Sequence, residues 1–352
     1  MMPRRILLAA SAALLARPAH AAPVLTQVAT FESQVTGVAV TPEGRIFVNF
    51  PRWEEDVAVS VAELRDGKLV PYPDAEWNAW RNAKPLSRGD HFVCVQSVFA
   101  DGRGSLWVLD PAAPGNEFNL EGGPKLVRID LATNTVKQVI RFDRTAVPQG
   151  SYVNDVRISP DGRHAYITDS GVRGALLVVD VATGRTRRLL DGHPSTQVEP
   201  GVQVMTDGKP LKRLDGRGPM FAADGIAMSP THLYWQALTG RTLYRLPLAA
   251  LDKAGAALPV ERVGTTGVAD GLWWDRAGRL WVTSPEDDSL KQFRDGVLTT
   301  IIQDKRLRWP DTLAESADGA IYVTTSQIQD MAQFHAGGST REVAYGLWRV
   351  VA

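Results

Sequence analysis

The chain is poor in the features that would place it quickly. It has 352 residues and one cysteine, Cys94, so it can form no intrachain disulfide. Cys94 lies in the apolar run His91–Val95, which reads as a strand, and a buried small hydrophobe fits it better than a reactive thiol. There is no excess charge of either sign: 39 basic residues balance 39 acidic ones. That balance argues against nucleic acid or an anionic membrane surface as the main partner. Beyond the N-terminus, no apolar run is long enough to span a bilayer. The nucleophile elbow, the His-Glu-x-x-His zinc motif and the phosphate loop are all missing.

The N-terminal segment has its own logic. Arg4-Arg5 is a basic start, Ile6 to Leu15 a short apolar stretch, and Ala19-His20-Ala21 a small-x-small cleavage site. Residues 1–21 are expected to be a secretory signal peptide of the general type, with the paired arginines not requiring the twin-arginine route. The domain is then expected over 22–352, with a secreted or periplasmic location.

What the chain does contain is a repeat. A polar residue, an apolar run, an Asp-Gly-like turn and an aromatic-rich run recur six times, as in Asn154–Ile167 and Asp270–Val282. A repeat period of roughly forty to seventy residues signals a propeller or an array. Each copy reads as a hairpin, because glycine supplies the positive φ of the turn. Six such units predict an all-β fold, a six-bladed β-propeller. Leu25–Phe31 and Leu347–Val351 read as strands of one shared last blade that closes the ring and protects its edges. Two long connections stand out, Arg52–Pro85 with Trp53, Trp77 and Trp80, and Gly184–Ala223 with a hairpin turn at Asp207-Gly208.

Aligning the copies on their turn glycine picks out one position, eight residues earlier, at the start of each innermost strand. It holds Thr36, Gln96, Asn154, Asp270 and Asp311; aligning Ser229-Pro230 with Ser159-Pro160 adds Asp224. Innermost strands line the channel, so six polar side chains should ring one mouth. Gathered carboxylates repel, and either protonation or a cation must relieve them. Oxygen donors of this kind suit Ca²⁺. The same residues also cap strands and turns through backbone bonds. Tyr152, Phe221 and Trp309 precede ring members by two or three residues and are expected as aromatic walls of a small-molecule pocket that includes Gln96.

Several segments carry a family resemblance. Asn49–Trp53, Tyr152–Asp155 followed by Ala165–Gly171, His193–Ser195, Asp224–Pro230, Leu238–Arg245, and Leu307–Asp311 with Thr325–Gln329 resemble motifs of the Yellow/major royal jelly protein family, in order along the chain. The resemblance implies a secreted six-bladed propeller. Its members are linked to dopachrome-type chemistry, to binding of small amines, or to no known activity. More distantly, the repeat is similar to the gluconolactonase/paraoxonase propellers, which hold a catalytic divalent metal. That likeness implies Asn154, Asp224 and Asp270 as metal ligands, with Asp155 or Asp311 activating water. The fourth ligand of that group, a glutamate in blade one, is replaced here by Val35-Thr36-Gly37. The expectation is a small-molecule-binding propeller without an organic cofactor, and the alternative is a Ca²⁺-dependent lactonase-like hydrolase.

Overall fold

The computed structural model describes residues 22–116, 118–251 and 257–352. Residues 1–21, read above as the signal peptide, lie outside the described residues. Among those described, six four-stranded antiparallel sheets form a six-bladed β-propeller. The six innermost strands are Val38–Val40, Ser97–Ala100, Val153–Ile158, Ala223–Met228, Leu272–Trp274 and Pro310–Glu315, in blades one to six. The sixth blade is closed as expected. Val24–Phe31 pairs antiparallel with Tyr345–Val351, whose other edge pairs with Ile321–Thr325.

Alternation along the strands explains the core. Each blade presents apolar residues on both faces, and neighbouring blades interdigitate. Between blades two and three, Trp107, Leu126 and Ile140 pack with Val156, Ile167 and Leu177, all buried. Outermost strands are half-wet and polar, as in Thr186–Leu189.

The two long connections are shorter than the sequence suggested. Arg52–Pro85 contains the third and fourth strands of blade one, Val61–Arg65 and Lys68–Pro71. Their turn, Asp66-Gly67, has positive φ at both residues, the geometry a two-residue hairpin needs. Likewise Thr186–Leu189 is the outer strand of blade three, so the true insertion is 190–222. Edge strands carry so many charged residues that they resemble loops in sequence. The Asp207-Gly208 hairpin is present, joining Met205–Thr206 to Lys209–Pro210. The short helix Leu248–Leu251 follows the strand Thr242–Pro247.

Hydrogen bonds latch blade to blade near the axis. Thr168 Oγ1 in blade three donates to the Asp224 carbonyl of blade four, and Thr324 Oγ1 in blade six donates to the Thr36 carbonyl of blade one. Asn49 Nδ2 reaches the Val95 carbonyl at 3.0 Å. Such close strands leave no room beside them. A Cβ on Gly225 would lie 2.2 Å from the Asp270 carbonyl oxygen, and one on Gly271 would lie 2.0 Å from that of Asp311. The Asp-Gly pairs at 224–225 and 270–271 are therefore not turns. Their glycines let neighbouring blades meet.

Removing Val24–Phe31 exposes a full sheet edge and the face that Leu25 and Phe31 help cover. The truncated protein should aggregate or melt far below the parent in a thermal scan; an unchanged melting temperature would contradict this closure.

Candidate functional site

Five of the six ring positions open toward one mouth, and the chain builds a cavity of about 190 Å³ above them. Gln96, Asn154, Asp224, Asp270 and Asp311 form the lower part, and Trp53, Tyr152 and Phe221 the walls. Thr36, the sixth ring member, is turned into the wall, where its hydroxyl donates to the Gln96 carbonyl at 3.0 Å. The insertion overhangs the mouth and contributes Arg213, Met220 and Phe221. It is tied down from several sides. Arg308 pairs with both Asp330 (2.6 Å) and Asp207 (2.9 Å), and Arg241 grips Glu286, which accepts from the Met205 amide.

The loops that carry the walls are placed by two equivalent aspartates at the ends of second strands. In blade three, Asp169 accepts from the amides of Tyr152 (2.8 Å) and Gly171 (2.9 Å) and is neutralised by Arg188 at 2.6 Å. In blade two, Asp110 accepts from Val93, Cys94 and Ala112 and pairs with the fully buried Lys125 at 2.7 Å. Cys94 is buried, and its thiol is pushed up to about 12. Tyr152 is then oriented by Trp53 Nε1, 2.7 Å from its hydroxyl, while the hydroxyl donates to Gln96 Oε1 at 2.9 Å. The three tryptophans of the first long connection part company in the structure. Trp80 is buried and Trp77 packs on Phe92, but Trp53 belongs to the pocket. Arg52, its neighbour, is wholly buried and structural, donating to Ser60 and to the Val57 and Val93 carbonyls.

The acidic floor holds itself together. Asn154 Nδ2 donates to Asp224 Oδ1 at 2.7 Å, and Trp309 Nε1 donates to Asp270 Oδ2 at 2.6 Å. The carboxyls of Asp224 and Asp270 are close neighbours in the floor. Burial pushes the Asp224 carboxyl well above the usual carboxylate range, and the neighbouring charges of Asp270, Asp155 and Asp311 push it further. Burial lifts Asp270 to about 7 against the opposing Trp309 donor. Asp311 is also raised well above its ordinary range, by burial and then by Asp270. Neighbouring buried carboxyls disfavour double ionisation, so the pair holds on to a proton to higher pH than an exposed carboxylate does.

Trp309 and Asp155 are not where the sequence suggested. Trp309 is fully buried with a left-handed backbone (φ of 50°) and packs outside the pocket lining, with Val204, Leu211 and Val268. It supports Asp270 rather than walling the pocket. Asp155 sits one residue further down its strand, outside the pocket lining, where Ser97 Oγ donates to it at 2.8 Å. Below it lies Arg157, which sequence reasoning missed. Its guanidinium is sandwiched between Phe99 and Trp273, each 5.3 Å from the ring centroid, and donates across the channel to the Leu272 carbonyl at 2.8 Å. An arginine aligned with Ala39, Ala227 and Ala314 of other copies was the available signal. This cation lies under the carboxyl floor and partly offsets it.

The floor does not fit a hard divalent ion as it is arranged. Asn154 turns its amide nitrogen toward Asp224, and that carboxyl neighbours Asp270. Among the described residues no group of three or more His, Cys, Asp or Glu side chains is placed to hold a metal.

The sequence model of the major royal jelly protein family matches residues 93–336, more than half of the chain and the whole of this pocket except Trp53. The chain is a member of the major royal jelly protein family. No curated relative matches the sequence. Among solved structures, a gluconolactonase from Xanthomonas campestris is similar at 14% identity, TM-score 0.55, over 93% of this chain and 88% of that one. The PQQ-bound aldose sugar dehydrogenase of Streptomyces coelicolor is similar at 12% identity, TM-score 0.55, over 93% and 98% of the two chains. A virginiamycin B lyase from Staphylococcus aureus is similar at 12% identity, TM-score 0.51, over 94% and 99%. At such identities the likeness is one of fold.

The raised carboxyls set a pH dependence. The folded state holds protons that the unfolded chain releases near its ordinary carboxylate range, so their contribution is full below about pH 4 and is lost as pH rises toward 7 and beyond. Stability measured by denaturant should therefore fall from mildly acid to alkaline pH, and Asp224→Asn should flatten the slope and be the more stable form at pH about 8. An identical slope in parent and variant would contradict a protonated floor. Trp309→Phe leaves Asp270 without its donor and should cost about 1–3 kcal/mol in the same measurement.

Proposed function

We propose that this protein is an exported ligand-binding propeller that takes one small molecule with an aromatic or apolar body into the mouth pocket. The observation that carries this is the convergence there of Tyr152, Phe221 and Trp53 with Gln96, Asn154, Asp224 and Asp270. Aromatic walls with a few fixed polar groups are how small ligands are held and oriented. The lid and the Asp169–Arg188 network fix these groups before the ligand arrives, which reduces the ordering cost of binding. Export rests on the signal-like residues 1–21. No helix among the described residues is long and apolar enough to cross a membrane.

A second reading is a divalent-metal hydrolase of the lactonase-like type. It is favoured by one observation, that Asn154, Asp224 and Asp270 do come together at one mouth. The bond between Asn154 and Asp224 weighs against it, and Asp155 lies too deep to serve the mouth directly. Asp311, at the pocket, is the better placed of the two proposed bases.

Two measurements separate these. A metabolite pull-down with the exported protein should recover a small organic ligand, whose capture Tyr152→Ala with Phe221→Ala should abolish. Calcium titrated into the millimolar range should leave the melting temperature unchanged. A cation at a hundred times its dissociation constant would add about 2.7 kcal/mol, and an increment of that kind that vanishes in Asp270→Ala would instead support the metal reading.

A further inference from the structure

Among the described residues, the arginines that are at least half-buried have partners for their side chains, with one exception. Arg157 donates to two backbone carbonyls, Arg188 is salted to Asp169, Arg241 to Glu286 and Arg308 to two aspartates. Arg213 is half-buried on the lid and lines the pocket. Its Nε is shielded from solvent and has no hydrogen-bond partner, and a nearby carboxylate, that of Asp215, acts on it only through space.

The arrangement around it is specific. The Arg213 amide donates to the Arg217 carbonyl at 2.8 Å, and the Gly216 amide returns to the Arg213 carbonyl at 2.9 Å, closing a tight loop. That loop is pinned across the mouth by the Leu214 amide on the Gln333 carbonyl, 3.2 Å away. The nearby carboxylate, Asp215, is taken up by the side chain and amide of Arg217. The guanidinium is thus held at the pocket by backbone contacts while its own hydrogen-bonding capacity is left open. A partly desolvated guanidinium without an acceptor is costly, and a planar oxyanion is what its fork of donors matches.

We infer that the ligand of this pocket is an anion, a small carboxylate with an aromatic or other apolar body, whose oxyanion pairs with Arg213 on the lid. This rests on the pocket being the binding site. The carboxyl floor does not oppose it, because its Asp224–Asp270 pair holds a proton and Arg157 lies beneath. The anionic end sits at the lid and the body descends between Tyr152 and Phe221. The rim offers further apolar surface where the body emerges. Phe118, Val172 and Met220 line the mouth while being 64%, 89% and 60% exposed.

An isosteric series tests the charge. Phenylpropanoate, phenylpropanamide and phenylpropylamine share a shape and differ in charge at one end. Calorimetric titration of the full exported protein should show the carboxylate binding about tenfold or more tighter than the amide, with the amine weakest. Arg213→Gln should bring the carboxylate down to the level of the amide and leave the amide unchanged. The Arg213 side chain bonds to no described residue, so the variant should melt with the parent, and Arg213→Lys should retain part of the preference. Equal binding of carboxylate and amide, tightest binding of the amine, or a carboxylate preference that survives Arg213→Gln overturns the inference and leaves the pocket reading standing. If none of the three binds at millimolar concentration, both fall.

Discussion

Everything at the mouth follows from the cost of bringing carboxyl groups to the axis of a propeller. Six innermost strands start at nearly the same point, and three of them carry an aspartate at or just before that start. The lid overhangs them above, and Arg157 packed between Phe99 and Trp273 lies below. Ionised carboxylates in that space would need several kcal/mol each of compensation. The chain meets the constraint in three ways. The Asp224–Asp270 pair holds a proton. Donors from Asn154 and Trp309 satisfy the outer oxygens. A permanent internal cation lies deeper in the channel.

The same constraint shapes the scaffold. For the floor residues to touch, neighbouring blades must approach more closely than side chains allow, hence Gly225 and Gly271 directly after the aspartates. The threonine latches at Thr168 and Thr324 hold that approach from the second strands. Outside the ring, Asp110 and Asp169 do for the loops what the latches do for the strands. Each collects amides from the segment entering its blade and from the loop leaving its second strand, and each is neutralised by one cation. The pocket is therefore fixed from its floor to its walls, and the lid adds a guanidinium, that of Arg213, to which no described side chain is bonded.

Much of this was legible in the chain. The fixed spacing from turn glycine to strand start placed Gln96, Asn154, Asp224, Asp270 and Asp311 at one mouth, because a hairpin of constant length has a constant origin. Tyr152 and Phe221 followed from their distance to those residues. Trp309 did not, because its left-handed backbone departs from the extended course that spacing assumes, and it packs outside the pocket lining. Arg157 was hidden in plain alternation. It shares a face with Asp155 two residues earlier, and only tracking both channel-facing layers would have exposed it. Arg213 had no sequence signal at all, since its significance lies in what its neighbours do not offer it. The outer strands of blades one and three were misjudged as loops for a plainer reason, their wet and charged composition.

The central claim is that the Asp224–Asp270 pair in the floor of the pocket still holds a proton near neutral pH. Carboxyl-carbon NMR titration of the protein, with Asp224→Asn and Asp270→Asn used to assign the resonances, reports it directly. The account predicts two coupled aspartate resonances whose transitions lie near pH 7 and above, with the lower one near Asp270's value of about 7. Titration of both below pH about 5, as ordinary exposed carboxylates do, would contradict it.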